Sequence, residues 1–300
     1  MKRVLLVAAG LLCLLQMSVF SQRYFFSTEE DFMGTDASGA TTYISDGDVL
    51  VIDGTIYMRN AQLLLRFQEP FDLGLDALDV IESRDGLVAF STELDGVNGL
   101  FDAGDLLTTT GSVIHNEALL FKFNLPRTLN LGLDAVQFVG EQEAIIAFLN
   151  EIMTLPPDHF QQFPDELEGR LRQYDIDIWF STSGTGPGAD YPIFIDGDIL
   201  SAATGTIVAP NSQLVPPPMN AGIPVRGVDY GCDALLTPRK GHVPNIYYST
   251  EILNYQPTFN DGDLLRLNTP AVRLDHRTII ANFNAKTKFL GLDAHSYWER

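Results

Sequence analysis

Four aspartates recur in one setting: Asp76 in LGLDALDVI (Leu73 to Ile81), Asp134 in LGLDAVQFV (Leu131 to Val139), Asp233 in VDYGCDALL (Val228 to Leu236) and Asp293 in LGLDAHSYW (Leu290 to Trp298). Hard divalent cations take oxygen ligands, so these four are the candidate metal ligands and Ca²⁺ is the candidate cofactor. The same residues have a second use, because aspartate readily accepts hydrogen bonds from backbone N–H groups at the mouth of its own strand. Both roles fit the repetition. A further acidic set recurs as Asp46-Gly47-Asp48, Asp196-Gly197-Asp198 and Asp261-Gly262-Asp263, with Asp102 and Asp105 spaced one residue wider. It lacks the remaining ligands of an EF-hand loop, and glycine between two acids reads as a tight turn.

Catalytic signatures are scarce. The histidines His115, His159, His242, His276 and His295 show no metal-ligand spacing and none recurs from repeat to repeat. No G-x-S-x-G elbow is present, and STSGTGPG around Gly184 to Gly188 lacks the Lys-Ser/Thr ending of a phosphate loop. A glycosidase needs only two carboxylates, which can lie far apart in sequence. Acids that recur in every repeat nevertheless point to a scaffold, since an active site is normally built once on a fold. No catalytic residue is assigned.

The bulk properties narrow the setting. Lys2 and Arg3, an apolar run from Val4 to Leu15, and Met17 to Ser21 predict a secretory signal over residues 1–21, cleaved before Gln22. Cys13 lacks the small preceding residue of a lipidation site, and the largely apolar stretch, about 17 residues even when counted from Val4 on to Phe20, is short for a retained span. The expectation is a secreted or cell-surface, extracytoplasmic protein with no stable membrane span once the signal is removed. With Lys2 and Arg3 gone, 17 basic residues face 39 acidic ones, a net charge near −22. Nucleic acid is thereby excluded as an expected partner, because phosphate binding needs a basic face. Only Cys232 remains in the mature chain, at a position where other repeats carry Leu75, Leu133 and Leu292. That predicts a buried thiol and no internal disulfide.

The elements that must position these acids follow a fixed order. Tyr24-Phe25-Phe26-Ser27-Thr28 returns as Val88 to Thr92, Ile178 to Thr182 and Ile246 to Thr250, aromatic and β-branched runs that predict strands stopping at a turn. A variable loop leads to the Gly-Asp turn and an apolar pair. A third segment, GTIYMRNAQLLLRF, GSVIHNEALLFKF, GTIVAPNSQLV or PAVRLDHRTIIANF, is read as strand, turn and strand, and the LGLDA phrase then closes the unit. The serines Ser27, Ser91, Ser181 and Ser249 give periods of 64, 90 and 68 residues, the middle one lengthened by an insertion. Ile145, Ile146, Leu149, Ile152 and Met153 lie at helical spacing between Glu141 and Leu155, and a shorter helix is expected from about Asp165 to Arg172. This helical insertion, about 140–175, either packs on its own domain or presents a partner surface. The proline-rich stretch Val215 to Pro224 is an irregular loop, since the repeat resumes in register at Val228.

Residues 22–300 are therefore expected to form a single four-repeat domain of all-β class. Repeats of this length with about four strands each predict a β-propeller-like ring closed by the termini, because the mature chain begins with a strand that its end would complete. A pair of β-sandwiches, two repeats in each, is the alternative. Leu-Asp-Ala, an aromatic strand, then Gly-Asp and an apolar pair resembles the blade grammar of hemopexin-type four-bladed propellers, which implies that the Asp-Ala strands line a centre. The combination of F-S-T, D-G-D-L-L and L-G-L-D-A-L is more similar to repeats in secreted proteins of environmental bacteria that carry no assigned activity. That likeness implies an exported location. The functional expectation is a secreted, non-enzymatic binding or structural protein with a protein or glycan ligand and structural calcium, the alternative being an extracellular carbohydrate-active hydrolase.

Overall fold

A computed structural model describes residues 23–214, 228–239, 246–254, 259–287 and 290–298. The expected signal at 1–21, the loop Val215 to Pro224 and His242 lie outside them.

The chain is mostly strand, in small antiparallel sheets with few helices, as the all-β expectation has it. Four sheets have four strands each. The first combines β1 (Arg23–Phe26), β4 (Val49–Val51) and β5 (Ile56–Met58) with the last strand, β18 (His295–Trp298), in the order β18-β1-β4-β5. The second is β6 (Leu78–Glu82), β7 (Leu87–Phe90), β8 (Leu106–Thr108) and β9 (Val113–Ile114). The third is β10 (Ala135–Val139), β11 (Asp177–Ser181), β12 (Ile199–Ser201) and β13 (Thr206–Ala209). The fourth is β14 (Ala234–Leu236), β15 (Tyr247–Ser249), β16 (Leu264–Arg266) and β17 (Thr269–Leu274). A separate hairpin, β2 (Phe32–Thr35) and β3 (Thr41–Ile44), fills the loop after β1.

The aromatic of each aromatic-Ser-Thr run sits opposite the strand that follows an LGLDA phrase: Phe26 pairs with His295, Phe90 with Leu78, Phe180 with Val136 and Tyr248 with Leu235. All four aromatics are fully buried. The partner strands also touch one another, β18 with β6, β6 with β10, β10 with β14 and β14 with β18. Ala77, Ala135, Ala234 and Ala294, at or just before the first residue of these strands, are each essentially inaccessible to solvent. Apolar clusters lie between consecutive sheets. One joins Phe25 and Val49 to Val80 and Phe90, the next Ile81 and Leu106 to Phe138 and Phe180, and the third Ile199 and Ala209 to Tyr248 and Leu265. The fourth packs Phe26 and Leu50 against Ile279 and Phe283.

The third segment of each repeat differs from the strand–turn–strand reading. After its short strand comes a helical turn: α1 (Asn60–Leu63), α2 (Asn116–Leu119), α6 (Asn211–Leu214) and α7 (His276–Ile280). The cause is a cap supplied from the preceding Gly-Asp turn. Asp48, Asp105, Asp198 and Asp263 each present Oδ1 to the first backbone N–H of the helix, at 3.0, 2.7, 2.8 and 2.9 Å. The insertion forms α3 (Gln142–Ile152), α4 (His159–Gln162) and α5 (Glu166–Gln173). Ile145, Phe148, Leu149 and Ile152 of α3, with Phe160, Leu167 and Leu171, join the cluster that holds Phe138 and Ile178. The insertion thus packs on its own domain, and only Met153 of its expected apolar face is exposed, at 47%.

Candidate metal centre

The LGLDA phrase is a loop that delivers its aspartate to the entrance of the next strand. Asp134, Asp233 and Asp293 are buried and Asp76 is partly exposed. Among the described residues no backbone N–H donates to any of the four carboxylates, so the capping role does not describe them. Asp134 Oδ1 accepts from the Ser183 hydroxyl. The other oxygen of Asp134, Oδ2, has no partner, nor have Asp233 Oδ2 and Asp293 Oδ2, although all three side chains are more than nine-tenths buried.

A second set of acids stands against the first, and the sequence reading passed over it. The residue after each Ser-Thr pair is Glu29, Glu93, Ser183 or Glu251. The glycine of each LGLDA phrase makes room for it: a Cβ on Gly74 would strike Glu93, one on Gly132 would strike Ser183, one on Gly231 would strike Glu251 and one on Gly291 would strike Glu29. Three of these glycines also hold φ near +70°, a conformation L side chains rarely adopt. The preceding threonines fix the loop in all four repeats. Thr28, Thr92, Thr182 and Thr250 donate to the carbonyls of Glu30, Leu94, Gly184 and Ile252 at 3.0, 2.9, 2.8 and 3.1 Å. Ser91 and Ser181 reach across to the next repeat, donating to the Leu133 and Cys232 carbonyls at 2.7 and 2.5 Å. The signal was legible, since Ser-Thr-Glu occurs three times at one position of the repeat.

Seven carboxylates are thereby gathered where the four strands begin. Burial, and then the negative charge of Glu93 and Glu251, pushes Asp76 up to about 7. Burial and the neighbouring Asp76 raise Asp134 to about 7, and burial with the neighbouring Asp134 raises Glu251 to about 8. Glu29 and Glu93 are pushed up to about 7 by burial and by other acids, and Asp233 and Asp293 are raised further still by burial and by carboxylates around them. Every charge that leads these shifts is negative. Only Glu29, Asp233 and Asp293 place carboxylate oxygens all within 4.8 Å of one another. Of the four aspartates expected to act as ligands, the fold thus joins Asp233 and Asp293 to a glutamate, while Asp134 is held by Ser183 and lies within hydrogen-bonding reach of Glu251. Asp76 lies outside that trio, although after burial its charge is the one that most raises Asp293.

Three residues further along the same strands the chemistry reverses. Asp79, 1% exposed, meets Arg239 through two contacts, Nη2 to Oδ1 at 2.6 Å and Nη1 to Oδ2 at 3.1 Å. The Phe138 N–H, the Gln137 side-chain amide and the Ser296 hydroxyl also donate to that carboxylate, at 2.8, 3.1 and 3.4 Å. The guanidinium donates in addition to the Phe138 and Val80 carbonyls, both at 3.0 Å. A charge buried here is paired and saturated with hydrogen bonds.

The remaining candidates are structural. The second acid of each Gly-Asp turn also accepts a backbone N–H from three residues earlier, from Ser45, Asp102, Ile195 and Asn260, which upholds the turn reading. His115 spends one ring nitrogen on Asp105 at 2.8 Å and the other on the Pro157 carbonyl at 3.2 Å. It therefore serves the fold in the open cleft it borders with Phe101 and Gln161. Cys232 is a buried free thiol, pushed up by burial and inert. No helix among the described residues is long and apolar enough to cross a membrane. In comparison with known proteins, the chain matches no family model, no curated protein and no solved structure.

Proposed function

We propose that the chain is an exported, non-enzymatic binding module built as a four-bladed propeller-like ring. The cyclic contacts of β6, β10, β14 and β18, the four inter-sheet clusters, and the pairing of the first described strand with the last support the ring. The observation that carries the functional reading is where exposed apolar side chains lie. The shared motifs are consumed in holding repeats together, whereas the loops after Ser-Thr, which begin at the acidic centre, expose Leu94, Val97, Ile193, Ile252 and Leu253. Apolar side chains around a charged patch suit a protein or glycan partner.

One observation favours the hydrolase instead: Asp134 and Glu251 are a carboxyl pair raised toward neutrality. Their contact argues against it, because glycosidase carboxyls must stand about 5–5.5 Å apart for retention and about 6.5–9.5 Å for inversion. A pair within hydrogen-bonding reach leaves no room for the scissile bond. The test joins export to activity. Cells expressing the full chain should deliver it outside the cytoplasm, and the purified protein should bind members of a glycan array or a cell-envelope preparation without releasing chromophore from aryl glycosides. Retention in the cytoplasm overturns export. Glycoside turnover abolished by Glu251→Gln would replace this reading with the hydrolase.

A further inference from the structure

Glu29, Asp233 and Asp293 come from three separate parts of the chain, yet their carboxylate oxygens converge within 4.8 Å. Glu29 follows β1, Asp293 precedes β18, and those strands pair from Arg23 with Trp298 to Phe26 with His295. The Glu29 N–H donates to the Gly291 carbonyl at 3.2 Å, so the backbones on either side of the trio are already tied. Asp233 precedes β14, the neighbour of β18. Two of the three acids leave a buried oxygen, Asp233 Oδ2 and Asp293 Oδ2, with no donor. Native proteins rarely tolerate this, since each such oxygen forfeits its hydration without compensation. The saturated carboxylate of Asp79 on the same set of strands shows that the fold can satisfy a buried acid where none is needed for a ligand.

We infer that Glu29, Asp233 and Asp293 form a calcium site whose ion clasps the junction of the two chain ends to the neighbouring repeat. The donors are all carboxylate oxygens, with no histidine or cysteine among them, which selects a hard cation over zinc or copper. Coordination geometry selects among hard cations. Ca²⁺ at about 2.3–2.6 Å accepts irregular oxygen sites whose ligands stand up to about 5 Å apart, whereas Mg²⁺ at about 2.0–2.1 Å demands an octahedron. Three carboxylates from separate loops, all within 4.8 Å of one another, fit the larger and less demanding ion. Glu29 is partly exposed, so water reaches the remaining coordination positions. The site differs from a symmetric one made by the four LGLDA aspartates. Ser183 donates to Asp134 Oδ1 and Asp134 stands outside the converging trio, so the ion lies to one side, at the seam where β1 pairs with β18.

The experiment is calcium titration of the chelator-treated protein by calorimetry, with magnesium as control and hydrogen exchange as the second reading. One calcium should bind per chain, magnesium at least tenfold more weakly. Glu29→Gln should weaken calcium at least tenfold, while Asp134→Asn should change it by less than twofold. Both variants are first checked for a native circular dichroism spectrum, and Glu29→Gln, partly exposed and isosteric, keeps the site measurable if Asp134→Asn does not fold. Calcium should slow exchange at β1, β14 and β18 at least tenfold more than at β7 and β8. Absence of binding at millimolar calcium overturns the site. Equal losses in Glu29→Gln and Asp134→Asn, or uniform slowing in all four sheets, overturn the off-centre clasp. Because neither export nor glycoside turnover enters these measurements, the clasp and the binding-module reading fail separately.

Discussion

The two ends of the four central strands treat buried acid in opposite ways. At one end Asp79 is neutralised by Arg239 and accepts hydrogen bonds from Gln137, Phe138 and Ser296. At the other, Asp76, Asp134, Asp233 and Asp293 face Glu29, Glu93 and Glu251, and the charges that most perturb them are other carboxylates. Both ends are carried by the same strands, three residues apart. The difference is therefore one of partner and not of burial. A paired acid holds the structure as it stands, and an unpaired cluster stores repulsion that a proton or a cation relieves.

Breaking the paired end should have the largest effect. Arg239→Met strands a buried carboxylate, and removal of one member of such a pair typically costs about 3–5 kcal/mol. Urea unfolding should show that loss with an unchanged m-value, and the double variant with Asp79→Leu should recover much of it. If Arg239→Met is silent, the ion pair is not what holds this end, and the contrast between the ends collapses.

The pins around the centre come next. Asn116 donates to the Gly104 and Gly132 carbonyls at 3.1 and 2.9 Å and accepts from the Leu131 N–H at 3.1 Å, joining a Gly-Asp turn to an LGLDA loop. Asn116→Ala leaves those backbone groups unpaired, an expected loss of about 1–3 kcal/mol by thermal or urea unfolding. A smaller loss would mean that solvent replaces the side chain and that the loop is less tightly held than its neighbours.

How much of this could be read from the sequence depends on whether a partner recurs. The LGLDA aspartates and the Gly-Asp turns announce themselves because each is written once per repeat, and the pairing of the chain ends followed from the order of the same motifs. Glu29, Glu93 and Glu251 recur as well, but they sit just past Ser-Thr, where the strand reading stopped. Arg239 belongs to no repeat and meets Asp79 from 160 positions away, so no pattern could have joined them. The short helices were hidden for another reason. A run such as NAQL is too short to show a period, and its cap is Asp48, a carboxylate 12 residues earlier in the chain.

The unpaired end has a characteristic response to pH. An acid whose folded pKa is raised keeps in the folded state a proton that the unfolded chain releases above about 4. Asp76, Asp134, Glu29 and Glu93 at about 7, and Glu251 at about 8, therefore make stability fall as pH rises through that window. His295 acts on the acid side. Burial pushes it down to about 3, so its contribution is complete above about 6.5 and is lost as pH falls toward 3. Between pH 6.5 and 8 the carboxylates change, and His115, which burial lowers but the Asp105 carboxylate raises on balance above its ordinary value, loses its contribution in the same direction. The melting temperature of chelator-treated protein should drop by a few degrees across that interval, and saturating calcium should flatten the drop. A rise instead would show that these acids are compensated by something other than protons.

The smallest effect is the most diagnostic, because its sign differs from that of Arg239→Met. Asp76 is partly exposed, accepts no backbone hydrogen bond among the described residues, and lies among like charges. Asparagine preserves its size and removes its charge, which is the state the folded protein already favours below pH 7. At pH 8 in chelator, Asp76→Asn should leave the melting temperature unchanged or raise it by about 1–2 °C, the shift that up to about a kilocalorie produces in a domain of this size. Below about pH 4, where the parent carboxyl is protonated in folded and unfolded chain alike, variant and parent should melt together. A clear destabilisation at both pH values would mean that the carboxylate of Asp76 holds the loop as Asp79 holds the other end, and the two ends would then differ in exposure alone.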